Sequence, residues 1–369
     1  VSLENMVSFM IIKITRFPCI VHLIVSHSSE NRYMAANKFL KNIIIKLLTG
    51  GSKPEYAPQT SQLTLADAIA KIDGLFDCEA VLKEFDADAT ISYYTQSEWG
   101  YQIYHSGQDA IHMALNPDGI FDPDGYYAQP RVVAEQIRKL DAKTVLELGC
   151  GKGFNSCFLA QQYPEVHFTG IDLTPSHIKI ARRKADKFSN LSFQEGNFNR
   201  LNFLDQSFDI VFAFECLCHA SEAETPLAEI FRVLRPGGQL IIFDGYRKIK
   251  FTQLPKLLQT ATQLVEISMA VRHGFSEIND WNAIVQSIGF QIQTIEDISL
   301  AIQPTLLKLQ KLSWKLFSLS WQVKILIYLL PKYLIRNSIA GLLMPFTVSP
   351  KGEAFGYYKL ILERPLEES

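Results

Sequence analysis

None of the six cysteines (Cys19, Cys78, Cys150, Cys157, Cys216, Cys218) belongs to a CxxC pair, and that absence points to a reducing compartment. Acids are missing from two stretches. Residues 31–54 hold five basic side chains and no carboxylate, and residues 298–352 hold seven and again none. The rest of the chain keeps 24 basic against 38 acidic residues, so two basic segments ride on an acidic body. That body has no basic, aromatic-studded groove, and a nucleic-acid substrate is not expected. Long apolar runs are also absent: "MVSFMIIKITRFPCIVHLIV" is interrupted by Lys13, Arg16, Pro18 and His22 and lacks a small-residue cleavage site, which excludes a spanning helix there. Residues before Met34 are expected to lie outside the fold. "MAANKFLKNIIIKLLTGG" then reads as a basic amphipathic helix stopped by glycines. What remains is ample for a core: 369 residues with 47% apolar and 20% charged side chains exclude wholesale disorder.

From residue 130 onward strand-like runs alternate with helix-like patterns at the spacing of βαβ units. The strand candidates are 143–149, 166–172, 191–196, 208–214 and 238–245. "TPSHIKIARRKADKF" between the second and third reads as a helix with Thr174 as N-cap, Pro175 in the first turn, and Ile178, Ala181 and Ala185 on one face. Further on come a helix ending at Gly289, the strand "QIQTIED" and a last strand in "GYYKLILER". The pattern predicts a Rossmann-like α/β fold: a seven-stranded, mostly parallel sheet with helices on both faces. A helical cap (61–130) is expected before it and a helical insertion (300–352) before the final strand, with the cofactor-binding domain over 131–365 and an N-terminal extension over 1–60.

The first strand ends in "VLELGCGKGF", with Gly149, Gly151 and Gly153 on alternate positions. Glycine allows a tight strand-to-helix turn and lets a ligand approach the main chain. A plain βα turn would use the same residues. A dinucleotide site wants G-x-G-x-x-G, but here that spacing lands on Phe154, and the third glycine comes one residue early. The second strand ends in Asp172, 23 residues after Gly149, where an acid can accept hydrogen bonds from both hydroxyls of an adenosine ribose. A helix-capping acid is the plainer reading of Asp172. After the third strand, Asn197 can meet an adenine edge and Phe198 can cover a ring.

In this order, at consecutive strand ends, these residues resemble the class I S-adenosylmethionine-dependent methyltransferases. The matching stretches are "VLELGCGKGF", "GIDL", "GNF", "SFDIVFAFECLCHA" and "RVLRPGGQLIIFDG". The likeness covers about residues 130–300. It implies S-adenosylmethionine as cofactor, held by Glu147, Gly149, Cys150, Gly151, Gly153, Asp172, Leu173, Asn197, Phe198 and Phe214. "FECLCHA" looks like the signature of sterol C-methyltransferases and is similar to tocopherol-type lipid methyltransferases; "YYTQSEWGYQIYHS" loosely resembles the aromatic segment before the sterol enzymes' core. The narrower likeness implies a small apolar acceptor such as a sterol, isoprenoid or quinone, with carbon as the methylated atom. An O- or N-methyltransferase of a soluble metabolite is the alternative, and a nicotinamide-dependent oxidoreductase and a non-catalytic lipid-binding protein also stay open.

Methylating an alkene leaves a carbocation, which aromatic faces can stabilise and a carboxylate or histidine can deprotonate. Glu215 and His219 are the candidates for that pair, with Tyr93, Trp99, Tyr101, Tyr104 and His105 as wall or lid. Cys216-x-Cys218-His219 lacks a fourth ligand and the usual spacing, so no metal site is expected. In the insertion, Leu309, Leu312, Leu316, Leu319 and Val323 recur at helical spacing beside Lys308, Lys311 and Lys315, with Trp314 and Trp321 among them. An ordinary helix packed on the core would show the same stripe. The absence of acid suits instead a lid resting on an anionic membrane, so the expected location is cytoplasmic with peripheral membrane contact.

Overall fold

The computed structural model describes residues 63–84, 89–101, 105–318, 330–348 and 354–366. The expected basic helix after Met34, and Leu319, Trp321 and Val323 of the insertion, lie outside the described residues. The order of elements is α1 (Leu65–Asp73), α2 (Cys78–Lys83), α3 (Ala89–Gly100), α4 (Ala128–Leu140), β1 (Thr144–Leu148), α5 (Phe154–Gln162), β2 (His167–Asp172), α6 (Pro175–Ala185), β3 (Leu191–Glu195) and β4 (Phe208–Phe214). There follow α7 (Glu224–Val233), β5 (Leu234–Arg247), α8 (Lys256–Ser268), α9 (Ile278–Ile288), β6 (Gln291–Asp297), α10 (Ser299–Phe317), α11 (Lys332–Thr347) and β7 (Phe355–Glu363).

The seven strands form one sheet in the order β3-β2-β1-β4-β5-β7-β6. Strands β1 to β5 run parallel, and β7 lies antiparallel between β5 and β6. Because side chains alternate across a strand, the central strands feed two cores. Val145, Ile210, Phe212, Ile241 and Phe243 face one, with Val133 and Ile137 of α4, Leu159 of α5 and Ile178 of α6. Leu146, Val211, Leu240 and Ile242 face the other, with Leu227 and Ile230 of α7 and Trp281 and Val285 of α9. Burial on both faces is why β4, "FDIVFAF", is apolar without a break from Ile210 to Phe214. Each fully buried side chain of this size contributes about 1.5–3 kcal/mol to the fold.

Local signals placed most boundaries. Strand β4 spans the expected residues, Pro175 opens α6, and Gly289 (φ 111°) closes α9 in the left-handed conformation that glycine tolerates. Strand β5 starts earlier than expected, because Leu234 already pairs with Phe208 and the register shifts between Phe208 and Ile210 to absorb the Pro236-Gly237-Gly238 turn. Thr174 occupies the N-cap position of α6, but its hydroxyl makes no capping bond; Asp172 accepts the Thr174 N–H instead.

The insertion packs differently from its stripe. On α10 the buried residues include Ile302, Leu306, Gln310, Ser313 and Phe317, while Leu309, Leu312 and Leu316 are only half-buried. The reason is α11. Its apolar Ile335, Ile339, Leu342 and Leu343 are buried, and the Gln310 amide reaches the Leu342 carbonyl at 3.0 Å, so two helices of the insertion cover each other. Lys308 does not join a solvated basic face, since its Nζ donates to the His105 carbonyl at 2.8 Å. Among the described residues no helix is long and apolar enough to cross a membrane.

Candidate active site

The loop between β1 and α5 carries the first element of the site. Gly149, Gly151 and Gly153 all have positive φ (63°, 51° and 78°), which side-chain-bearing residues rarely adopt. Space is denied as well: a Cβ on Gly149 would lie 2.5 Å from Cys216 Cβ, and one on Gly153 2.6 Å from the Phe193 ring. Gly149, Cys150 and Gly151 line a cavity of about 220 Å³ at the carboxyl ends of the parallel strands. Gly153 does not; it packs on Phe193 and starts the helix. Glu147 also departs from expectation. It is buried beneath the loop and accepts from Asn155 Nδ2 (2.9 Å), the Ser156 N–H (3.2 Å) and the Ser156 hydroxyl, so it ties β1 to the start of α5 and lies outside the cavity lining. Burial pushes its carboxyl up to about 7, against those donors.

Asp172, Leu173, Asn197, Phe198 and Phe214 all line the same cavity. Asp172 accepts the Gly151 N–H and the Thr174 N–H, each at 2.8 Å, and lies 3.9 Å from His177 Nδ1. One carboxylate thus holds the glycine loop and the entry to α6 together, so the helix-entry role and a ligand-facing position coincide in this residue. Asn197 Oδ1 accepts the Asn199 N–H at 2.9 Å, which fixes its turn.

At the other end of the cavity the chain returns from β4 through a strained residue. Glu215 has φ 49°, a left-handed value unusual for a side chain of its kind. Its Oε1 accepts the Met113 N–H (2.6 Å) and the Tyr357 hydroxyl (2.7 Å). Gln129 Nε2 donates to both Tyr357 Oη (2.8 Å) and the Met113 carbonyl (2.9 Å), which closes the ring of contacts. Enclosure by protein raises the Glu215 carboxyl to about 7 although two donors oppose the shift. His219, at the end of the short turn after β4, is held to about 4 by burial and is neutral near pH 7. Its Nδ1 lies 3.3 Å from the Ala270 carbonyl and its Nε2 3.0 Å from the Tyr94 hydroxyl. A carbonyl can only accept, so Nδ1 carries the proton and Nε2 accepts from Tyr94. Ala270 has φ 58°, so the backbone aiming that carbonyl is itself left-handed.

Tyr101 lines the cavity and its hydroxyl is 2.6 Å from that of Tyr93. His105 does not belong to the lining: its Nε2 donates to the His112 carbonyl (2.9 Å), and its own carbonyl accepts from Tyr126, so it braces the 105–126 loop. Tyr104 and the Trp99 side chain lie outside the described residues. Sequence reasoning missed Tyr94, Asp109, His177, Asp244 and Tyr357, which line the cavity from five separate stretches of chain. Only Asp244, in "IIFDG" just past the last parallel pair of β5 with β4 (Phe214 and Phe243), had a signal, as another acid where parallel pairing stops; burial raises it to about 6.

Lys152, between Gly151 and Gly153, is buried with its Nζ 3.3 Å from Glu98 and 3.6 Å from Asp109, and Lys184 also pairs with Asp109 at 2.8 Å. These ion pairs fasten the helical cap to the glycine loop. Lys152→Met is expected to cost about 1–3 kcal/mol of unfolding free energy in a denaturant melt and to speed proteolysis within 89–100. An unchanged cleavage rate would show that the cap is held elsewhere.

Residues 139–298 match the family model described as a methyltransferase domain. The O-methyltransferase rstn1 of Aspergillus nomiae is 29% identical over 171 residues, 46% of this chain and 73% of that protein. Sterol 24-C-methyltransferase erg-4 of Neurospora crassa is 28% identical over 229 residues, 60% of this chain but only 58% of its own length, so the chain spans little more than half of that relative. Among solved structures the cyclase SpnF superposes with a TM-score of 0.57 at 19% identity, covering 75% of this chain and 97% of that one, a likeness of fold alone. Residues 139–298 are thus a methyltransferase domain, and S-adenosylmethionine is the cofactor that such a domain uses.

Proposed function

We propose that the protein transfers a methyl group from S-adenosylmethionine to a small apolar acceptor such as a sterol, isoprenoid or quinone, with carbon as the receiving atom. The observation that carries this is the continuity of one cavity from the glycine loop and Asp172 to a chamber of Tyr93, Tyr94, Tyr101, Met344 and Val348. The residues fit the cofactor: the loop offers main chain with no side chain in the way, Asp172 offers a carboxylate for ribose hydroxyls, and Asn197 and Phe198 offer an amide and a ring face for adenine. When bound, S-adenosylmethionine supplies an activated, electrophilic methyl group. The protein's work is then to align the acceptor, exclude water and take a proton.

Glu215 and His219 share that last task. The Glu215 carboxylate faces positive charge developing on the acceptor, and His219, with Nε2 as its basic nitrogen, takes a proton directly or through Tyr94. Methylation of a hydroxyl is the second reading, and the neutral imidazole beside a tyrosine hydroxyl favours it. The acceptor's character implies work beside a membrane surface in a reducing compartment. Incubating the protein with methyl-labelled S-adenosylmethionine and fractionated lipids, with mass analysis of the product, tests the proposal. Label confined to water-soluble metabolites would overturn the apolar acceptor, and label in a base-labile methyl ester or in a methyl ether cleaved by hydriodic acid would replace carbon with oxygen.

A further inference from the structure

A second concavity lies on the outer side of α10, away from the cofactor cavity. It is an open groove of about 730 Å³ between the 105–121 loop and the helix, lined by Ile120, Phe121, Leu307, Lys308, Lys311 and Lys315 among others. Its chemistry is divided. Ile120 is 71% exposed at the loop tip and Leu307 37% exposed on the helix, with Leu300 (65%) two turns earlier on the same face. Beside them stand three lysines, none of which has a carboxylate partner among the described residues; the neighbouring basic residues Lys332 and Arg336 both pair with Glu84. Lys308 is the most telling. Its ammonium is half-buried, sits 4.1 Å above the Phe121 ring and bonds the His105 carbonyl, an arrangement whose desolvation no anion among the described residues compensates. Burial alone lowers its affinity for the proton. Asp118 and Asp122 flank Ile120 in sequence but do not line the groove, and Asp122 is occupied in accepting the Asp124 N–H.

We infer that this groove docks the protein on an anionic lipid bilayer, with Lys311 and Lys315 facing lipid headgroup phosphates beside the half-buried Lys308 ammonium, and Ile120, Leu300 and Leu307 entering the acyl boundary. Charge complementarity selects an anion, and large apolar side chains exposed between the lysines select lipid over nucleic acid, whose phosphates they cannot serve. The surface is not the stripe that the sequence alone suggests, because Leu309 and Leu316 are spent on the core. It uses the opposite edge of the helix whose Ile302 and Leu306 line the cofactor cavity, so docking would set the acceptor chamber one helix away from the membrane. The inference extends the apolar-acceptor reading in purpose and rests on the groove alone for its geometry.

The test is sedimentation of the full chain with vesicles of equal parts phosphatidylcholine and phosphatidylglycerol, against pure phosphatidylcholine. Binding is expected to the anionic vesicles only and to fall as salt rises. Lys311→Gln with Lys315→Gln should weaken it about 30-fold, at roughly fivefold for each charge near the surface. Ile120→Ser should weaken it while leaving the salt dependence in place. Neither site lies in the cofactor cavity, so S-adenosylmethionine affinity, read by calorimetry, is expected to stay unchanged and certifies the fold of each variant. No binding by the parent protein, or binding that survives all three substitutions and so belongs to another segment, overturns the inference. So does lysine-dependent binding to an oligonucleotide without binding to vesicles. Methyl transfer into detergent-dispersed lipid by a protein that ignores vesicles would leave the acceptor reading standing and remove only this one.

Discussion

Asp172→Ala should weaken S-adenosylmethionine binding about 10- to 150-fold in a calorimetric titration, which is the 1.5–3 kcal/mol that hydrogen bonds to a charged group supply. Two routes lead to that loss. The carboxylate would no longer accept from ribose hydroxyls, and the Gly151 and Thr174 N–H groups would lose their present acceptor. Asp172→Asn separates the routes, because its carbonyl oxygen can still hold one of those N–H groups while its amide donates where the ribose also donates. If binding falls as far in the asparagine variant as in the alanine variant, the contact with the cofactor dominates. If asparagine restores affinity, the residue acts by shaping the glycine loop. Unchanged affinity in both would remove Asp172 from the cofactor site.

How much of this was legible in the sequence follows from how local each signal is. Strand β4 and the glycine loop are written in short local stretches, because the apolar run Ile210–Phe214 and three closely spaced glycines constrain only their own backbone. The helix α10 is legible as a helix, but its stripe only borders the buried face: Leu309 and Leu316 pack at the edge of the core, and only the position of α11 decides that Ile302, Leu306 and Gln310 are the ones fully covered. Glu147 and His105 lay within matching motifs, yet in each case the bonding groups come from residues up to nine positions away that turn the side chain from the cavity. Tyr94 and Tyr357 were invisible for the converse reason. Each reaches the site from an element more than a hundred residues distant from its partner, His219 or Glu215, and nothing in either local pattern records the meeting.

Substituting that second pair is expected to have the largest effect on catalysis. Glu215→Gln and His219→Gln should each lower kcat by about 10²- to 10⁴-fold, the range for loss of a positioned acid or base, while cofactor affinity stays close to that of the parent. Glutamine at 219 keeps a donor for the Ala270 carbonyl and an acceptor for Tyr94 but has no basic nitrogen, so the fold is preserved where alanine would strand both groups. The pH profile then separates the two residues. Glu215 is protonated below about 7 and ionised above it, so a reaction that needs its carboxylate loses rate as pH falls through about 7 in kcat/KM. His219 is already neutral above about 4, so it adds no limb in that range. A cationic sulfonium nearby favours the carboxylate, and the corresponding limb in kcat should therefore lie lower than that in kcat/KM. In Glu215→Gln the limb should vanish, and in His219→Gln it should remain on a depressed plateau. A limb that survives Glu215→Gln would assign it to another group, and equal losses of kcat and cofactor affinity would show that Glu215 and His219 hold the cofactor and leave the proton to others.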